Sequence, residues 1–169
     1  MSTKLNQNPD MIKVMEDDLK AKANEAVETA NLTLPVMGVF DLDHLEQMME
    51  AEVTSMAIGV GFVSTEALRK EDSGTFNPMQ STAAKGVLFT FMIVLALPAQ
   101  GELDERFDAT RLLTVLRQRI LGTPIGEERS QRTWNFVRER PETGASTRTL
   151  LYYSQVWQVA MQNLGNTVS

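Results

Sequence analysis

The sequence predicts an α+β fold: a single domain with an antiparallel-rich mixed sheet packed by an N-terminal helix and a second long helix. Three observations support this prediction. An amphipathic helical pattern begins at Asp10, an uncharged apolar run spans Gly86 to Pro98, and a second helical pattern separates that run from two C-terminal strand patterns. A chain of 169 residues with 43% hydrophobic content is most simply one compact domain.

The uncharged run GVLFTFMIVLALP, Gly86 to Pro98, is the most apolar part of the chain. As a helix it would rise about 20 Å, short of the roughly 30 Å of a membrane's hydrocarbon core. Its β-branched and aromatic residues favour a strand, and both alternate faces of that strand are largely apolar. We therefore predict a central strand that is covered on both faces, part of it by a neighbouring subunit.

The elements before this run are shorter. Residues 1–9 are predicted to form a flexible tail, followed by a helix with Asp10 as its N-cap and Pro35 as its end. PVMGVF predicts a short strand, DLDHLEQMMEAE a short acidic helix capped by Asp41, and TSMAIGVGFVS a second strand. The apolar stripe of the first helix consists of Ile12, Met15, Leu19, Ala23, Ala26 and Ala30.

A long loop is predicted at 65–84, where Ser, Thr, Gly, Asn and charged residues predominate. This composition buries too little apolar surface to order itself. Loops of such length in compact domains are usually functional or disordered. Two alternatives stay open, an insertion without a role or a segment that orders on contact with a partner.

The chain after Pro98 predicts one helix and two strands. QGELDERFDATRLLTVLRQRILGTP gives the helix, capped by Asp104 or Asp108 and ended by Gly122 and Pro124. Its predicted apolar face consists of Phe107, Leu112, Leu113, Leu116, Ile120 and Leu121. RTWNFVRE and RTLLYYSQVWQVAMQN predict the strands, the second with an apolar face of Leu151, Tyr153, Trp157, Val159 and Met161. The domain thus spans 10–163, and 164–169 form a flexible C-terminus.

Residues suited to catalysis or metal binding are scarce. The chain has no cysteine, and its single histidine, His44, lies in an acidic helix without a base–nucleophile partner. GVGFVS lacks the third glycine of a dinucleotide fingerprint, and GTPIGEER lacks the lysine of a phosphate loop. We therefore predict that the protein is not an enzyme and has no cofactor and no metal.

The charge is uneven along the chain. A net charge of −6 disfavours non-specific nucleic-acid binding over the whole surface. After residue 85 every basic residue is an arginine, and glutamates interleave with the arginines around the last two strands. Mixed signs favour ion pairs between strands or subunits over phosphate contacts. The arginines concerned are Arg129, Arg132, Arg138, Arg140 and Arg148.

The order of these patterns is similar to that of one protein family. An amphipathic helix and a short strand lead to a loop, the strand VLFTFMIVLALP, the helix DATRLLTVLRQRILG, the strand WNFVRE and the closing strand LLYYSQVWQVA. Over residues 10–163 this order resembles the tail terminator, or tail completion, proteins of long-tailed bacteriophages. The predicted loop is longer than that of the family.

The resemblance implies a structural function in the virion. Such proteins form a ring, commonly a hexamer, on the head-proximal end of the tail tube, after assembly in the host cytoplasm. The ring stops tube polymerisation and presents a docking surface to the head connector or a neck protein, while DNA only passes through its channel and no membrane is involved. Candidate subunit or tube contacts are then Arg69, Lys70, Phe76, Met79, Arg129, Arg132, Arg138, Arg140 and Arg148.

Three other functions remain open at this point. The first is another head-tail joining protein, such as a neck or head-completion protein, which differs in the ring that it contacts. The second is a small cytoplasmic enzyme whose carboxylates act without histidine or metal. The third is a nucleic-acid-binding protein that uses the C-terminal arginines, which a steep salt dependence of DNA affinity would support.

Overall fold

The computed structural model describes residues 11–52, 54, 56–68, 86–99, 103–126, 132–142 and 150–162. These residues contain three helices and a five-stranded sheet, which confirms the predicted α+β class. The elements are α1 (Met11–Thr29), β1 (Val36–Gly38), α2 (Leu42–Ala51), β2 (Ala57–Ala67), β3 (Gly86–Pro98), α3 (Leu103–Ile120), β4 (Asn135–Pro141) and β5 (Leu150–Gln162). The predicted tails at 1–9 and 164–169 lie outside the described residues.

The uncharged run forms the middle strand of the sheet, as predicted. The strand order is β1-β2-β3-β5-β4, with β1 parallel to β2 and the other three neighbouring pairs antiparallel. Phe91 of β3 lies opposite Phe62 of β2 on one side and Trp157 of β5 on the other. Since β3 has a partner along both edges, all of its backbone groups have strand neighbours.

Two β-bulges interrupt the register of the sheet. One falls between Phe62 and Ser64 of β2, and the other between Phe136 and Arg138 of β4. The extra residues are Val63 and Val137, whose exposed fractions are 49% and 46%. A bulge turns the side chains that follow it, so these two valines depart from the alternation of their strands.

Helices α1 and α3 cover one face of the sheet. Their apolar sides meet Phe91, Ile93, Leu95 and other odd-numbered residues of β3 in one core cluster. Phe91 is fully buried, and its ring makes edge-to-face contacts with Phe62 and Trp134 at 5.5 Å each. This cluster contains most of the buried apolar residues of the described chain, and their removal from water stabilises the fold.

Helix α2 covers one end of the other face. Leu45 and Met49 of α2 pack against Val94, Ala96 and Tyr152 of the sheet. The helix rises about 15 Å over its length, whereas β3 extends about 43 Å. One end of this face therefore lies beneath α2, and the remainder extends beyond the helix.

The structure corrects the predicted end of α1. This helix stops at Thr29, well before Pro35, because Asn31 adopts a left-handed conformation with φ of 56°. The N–H of Leu32 then donates to the carbonyl of Val27 at 3.1 Å. The guanidinium of Arg111 on α3 donates to the Ala30 carbonyl at 2.8 Å, which satisfies another free carbonyl of the helix end.

Helix α3 also differs from its predicted form. Because it begins at Leu103, Asp104 and Asp108 lie inside the helix and neither is its cap. Phe107 and Leu121, both placed on the apolar face, are 62% and 56% exposed. The remaining predicted members of that face, Leu112, Leu113, Leu116 and Ile120, are buried.

The predicted loop at 65–84 begins too early. Strand β2 continues through Ala67, so its last residues pair with β3. Thr65 lies opposite Phe89, and Ala67 lies opposite Val87. The rest of the predicted loop, from residue 69 onward, falls outside the described part of the chain.

Candidate assembly surface

The sheet face that carries α2 also bears an open groove of about 420 Å³. We call it the α2-side groove, and most of its lining is apolar. Its walls come from the β1–α2 connection, from the bulged part of β2, from β3, and from the polar end of β4. The lining residues are Val39, Phe40, Asp41, Leu42, Gly61, Phe62, Val63, Met92, Val94, Arg140 and Glu142.

A glycine in β2 allows the groove wall to form. A Cβ atom added at Gly61 would lie 2.7 Å from the carbonyl oxygen of Val39, inside van der Waals contact. The Val39 N–H donates to the Val60 carbonyl at 2.9 Å, so the chain after β1 is held against β2. Gly61 therefore lets the segment that carries Phe40 pass close beside the strand.

Phe40 stands at the rim of the groove with 91% of its surface exposed. Its ring stacks on His44 at 5.1 Å between centroids, and its N–H donates to His44 Nδ1 at 3.1 Å. The His44 N–H in turn donates to Asp41 Oδ1 at 2.8 Å, which makes Asp41 the N-cap of α2 as predicted. His44 thus has a structural role in fixing Phe40 outward.

The described residues do not form a candidate metal site. Within them no three His, Asp or Glu side chains gather in a group able to hold a metal ion. The acidic residues beside His44 spread along a helix surface, and Asp41 is used as a cap. A membrane-spanning helix is likewise not found among the described helices.

The polar end of the groove is formed by an ion pair between Arg140 of β4 and Glu142, which directly follows this strand. Arg140 Nε lies 3.1 Å from Glu142 Oε1, and the Ser154 hydroxyl donates to the same carboxylate. The Ser154 hydrogen bond, followed by the hydrogen bond and charge of Arg140, lowers the pKa of Glu142 below its ordinary value. The carboxylate is therefore ionised at neutral pH and neutralises Arg140.

Arg138 lies on the same face of β4 as Arg140, two residues earlier. Its side chain is exposed, and it pairs in register with Val156 of β5. Within the described residues no carboxylate lies at ion-pair distance from it, although its charge acts on Glu142 from further away. Arg138 thus adds a positive charge beside the groove.

The structure places only some of the predicted contact residues. Arg138 and Arg140 come together near the groove, whereas Arg132 lies at the opposite end of β4 and is half-buried. Burial lowers the pKa of the Arg132 guanidinium, and its carbonyl accepts from the Ile125 N–H at 3.0 Å. The other candidates, Arg69, Lys70, Phe76, Met79, Arg129 and Arg148, lie outside the described residues.

A second exposed apolar residue, Phe107, lies on α3, the helix on the opposite face of the sheet. Nine residues at about 100° each place it roughly 180° from the buried Leu116 around the helix. That angle follows from the sequence separation alone, and it places Phe107 outside the apolar face predicted for this helix. One turn before Phe107 stands the exposed Asp104.

The molecule therefore carries exposed apolar side chains on two opposite faces. Phe40 and Val63 flank the groove beside α2, and Phe107 projects from α3. Such side chains gain from removal from water, and exposed apolar patches on soluble proteins frequently mark contacts with other proteins. This arrangement suits assembly better than small-molecule chemistry.

Comparison with known proteins finds little similarity in sequence. No protein-family model matches the chain, and no curated protein sequence matches it either. A similar solved structure is a chain from the "Virion of native gene transfer agent (GTA) particle", with 11% sequence identity and a TM-score of 0.48. The match covers 88% of this chain and 98% of that one.

Proposed function

We propose that this protein is a structural component of a phage virion, which forms a ring on the head-proximal end of the tail tube. The ring stops tube polymerisation and provides the docking surface for the head connector or a neck protein. The order of elements along residues 10–163, which resembles that of tail terminator proteins, motivates this choice of role. A hexamer is the proposed ring, and DNA only passes through it.

The observation that carries the proposal is that apolar side chains are exposed on opposite faces of the subunit. A ring subunit contacts one neighbour with one surface and the other neighbour with a different surface. The groove with Phe40 and Val63 and the exposed Phe107 of α3 provide two such surfaces. A monomeric enzyme does not require two such contact surfaces.

Ion pairs on both faces of the sheet support protein contacts over DNA contacts. Arg140 is neutralised by Glu142, and Arg117 of α3 lies 3.6 Å from Glu139 of β4. Together with the net charge of −6, these pairs disfavour phosphate binding at the arginines that they neutralise. DNA that passes through a channel lined by such a protein would meet a weakly binding wall.

Electron microscopy of the purified protein mixed with tail tubes tests the proposal. The tubes are assembled from the tube protein of the same phage, and isolated heads serve as the second partner. We expect ring-shaped density at one end of each tube and none along its length. Density on the heads alone would instead assign the protein to the neck or head-completion class, and bare ends on both particles would exclude a joining role.

A further inference from the structure

We propose that Phe107 of one subunit inserts into the α2-side groove of the next copy of this chain, so that subunits join head to tail. This contact deepens the function proposed above, and only the closure into a ring rests on that function. The contact itself follows from the shape, polarity and position of the two surfaces.

The groove suits an aromatic side chain. Most of its lining is apolar, with Met92, Val94 and the exposed Val63 on its floor and flank. Phe40 at the rim is 91% exposed and lies against His44, so it offers a free ring face to a second aromatic ring. Phe107, at 62% exposure, is the exposed aromatic residue of the opposite helix layer.

The charges beside the two surfaces are complementary. Asp104, one helical turn before Phe107, has no basic group at ion-pair distance among the residues described. Arg138, beside the groove, likewise has no carboxylate at that distance in the described chain. When Phe107 enters the groove, Asp104 and Arg138 approach each other, and this pairing favours one orientation of the contact over others.

The positions of the surfaces determine the symmetry. Helix α3 packs on the face of the sheet that faces away from the groove, so Phe107 and the groove point in different directions. Two rigid subunits therefore cannot fill each other's grooves at the same time. The contact repeats from subunit to subunit and gives a ring when the rotation closes.

Site-specific cross-linking tests the contact, because the natural chain has no cysteine. The full-length variants D104C and R138C place one thiol beside each surface, and they retain Phe107 and the groove, whose apolar contact should hold the subunits together without the charge pair. After treatment with a short bis-maleimide, we expect the double variant to form dimers, trimers and longer ladders. An equal mixture of the two single variants, one carrying a size tag, should give dimers that contain one copy of each.

A matched control uses another exposed apolar residue, which directly follows the C-terminal end of α3. Leu121 is 56% exposed and lies about 25 Å from Asp104 along the helix axis. L121C mixed with R138C should give less than about a tenth of the heterodimer of the D104C and R138C mixture. Equal yields from both mixtures, or cross-links within either single variant alone, would overturn the head-to-tail contact.

The role of Phe107 is tested in the same background. F107S should lower the cross-link yield at least about tenfold, whereas L121S should leave it unchanged, with both variants melting like the parent. An unchanged yield for F107S would overturn the insertion of this side chain. Tube capping without head-to-tail cross-links would refute the contact but not the proposed function. Cross-links without tube capping would support the contact and refute the proposed function.

Discussion

The indole N–H of Trp134 donates a 2.8 Å hydrogen bond to Oδ2 of Asp18, which lies 116 residues earlier on α1. The same oxygen accepts from Lys22 Nζ at 2.6 Å, and Oδ1 accepts from the Gly126 N–H at 3.1 Å. Only 13% of the Asp18 side chain and 15% of the Lys22 side chain are exposed. This carboxylate therefore ties α1 to the connection between α3 and β4.

Replacing Asp18 by Asn should destabilise the fold by about 2 kcal/mol, because the substitution removes a charge from a partly buried ion pair with Lys22. Urea unfolding followed by Trp134 and Trp157 fluorescence measures this change. The matched control is D17N on the exposed side of the same helix, where Lys13 and Lys20 lie 2.7 and 3.3 Å away. Exposed pairs contribute about 0 to 1 kcal/mol, so similar losses in both variants would contradict this role of Asp18.

Two phenylalanine substitutions compare the core with the surface. F91D should abolish soluble protein, because an unpaired carboxylate at this fully buried position costs several kcal/mol against a total stability of about 5 to 15 kcal/mol. F107D should express and melt like the parent, because that side chain is 62% exposed. Soluble yield and thermal melting are the measurements. A soluble, cooperatively melting F91D would mean that β3 is misplaced.

Gln155, near the centre of β5, is a polar residue that is fully buried. Its Nε2 donates to the Leu113 carbonyl at 2.8 Å and to Glu139 Oε2 at 2.6 Å, and its Oε1 accepts from the Trp157 indole at 3.3 Å. Q155L should lower the free energy of unfolding by about 2 kcal/mol, because it leaves the buried indole N–H without its acceptor.

The control for this substitution is Gln158→Leu in the same strand. Gln158 is half-buried on the opposite face and donates to Thr90 Oγ1 at 3.1 Å. Its replacement should cost about 1 kcal/mol or less, since it removes one hydrogen bond between neutral groups from a half-buried side chain. Chemical denaturation measures the free energy of unfolding of both variants. If Q155L were as stable as Q158L, the buried hydrogen bonds of Gln155 would contribute little to stability.

The hydrogen bond between Ser154 and Glu142 should make stability depend on pH. Because the folded-state pKa of Glu142 is lowered, its contribution is fully present above the ordinary value of 4.5 and is lost as the pH falls through the folded-state value. S154A should therefore reduce the free energy of unfolding by about 1 kcal/mol at pH 7, with the difference shrinking in acid. Urea titrations between pH 7 and about pH 3 measure it.

Ser64→Ala is the control for the pH series. The Ser64 hydroxyl lies 3.5 Å from Glu66 Oε1 in an exposed position, a weak contact by geometry. We expect S64A to follow the parent protein at every pH. A difference between S154A and the parent that stays constant into acid would refute the link to Glu142 ionisation.

The central part of the fold is readable from sequence because its signals are local. Thirteen uncharged residues, rich in β-branched and aromatic side chains and largely apolar on both alternate faces, predict a middle strand that is covered on both faces. Asp41 is identifiable as the cap of α2 because the cap, the helix start and the His44 N–H that it accepts lie within four residues. Such short-range patterns do not depend on the rest of the chain.

The candidate site was less accessible to sequence reasoning because it depends on long-range geometry. The bulge that exposes Val63 arises from the register between β2 and β3, which alternation along one strand does not encode. The pairing of Asp18 with Trp134 joins residues 116 positions apart. Gln155 interrupts an otherwise apolar face and gave no sign that it is buried, since its partners lie on α3 and β4. The exposure of Phe107 follows from its angle around α3, which its apolar side chain alone does not indicate.

The length of tail tubes polymerised with this protein present tests the central claim most directly. Purified tube protein is assembled with increasing amounts of the chain, and tube lengths are measured by electron microscopy. We expect the mean length to fall as the protein is added, with one capped end per tube, and F107D to lose this effect while remaining folded. Tubes of unchanged length, with the protein absent from their ends, would contradict the assignment of this chain as a terminating ring.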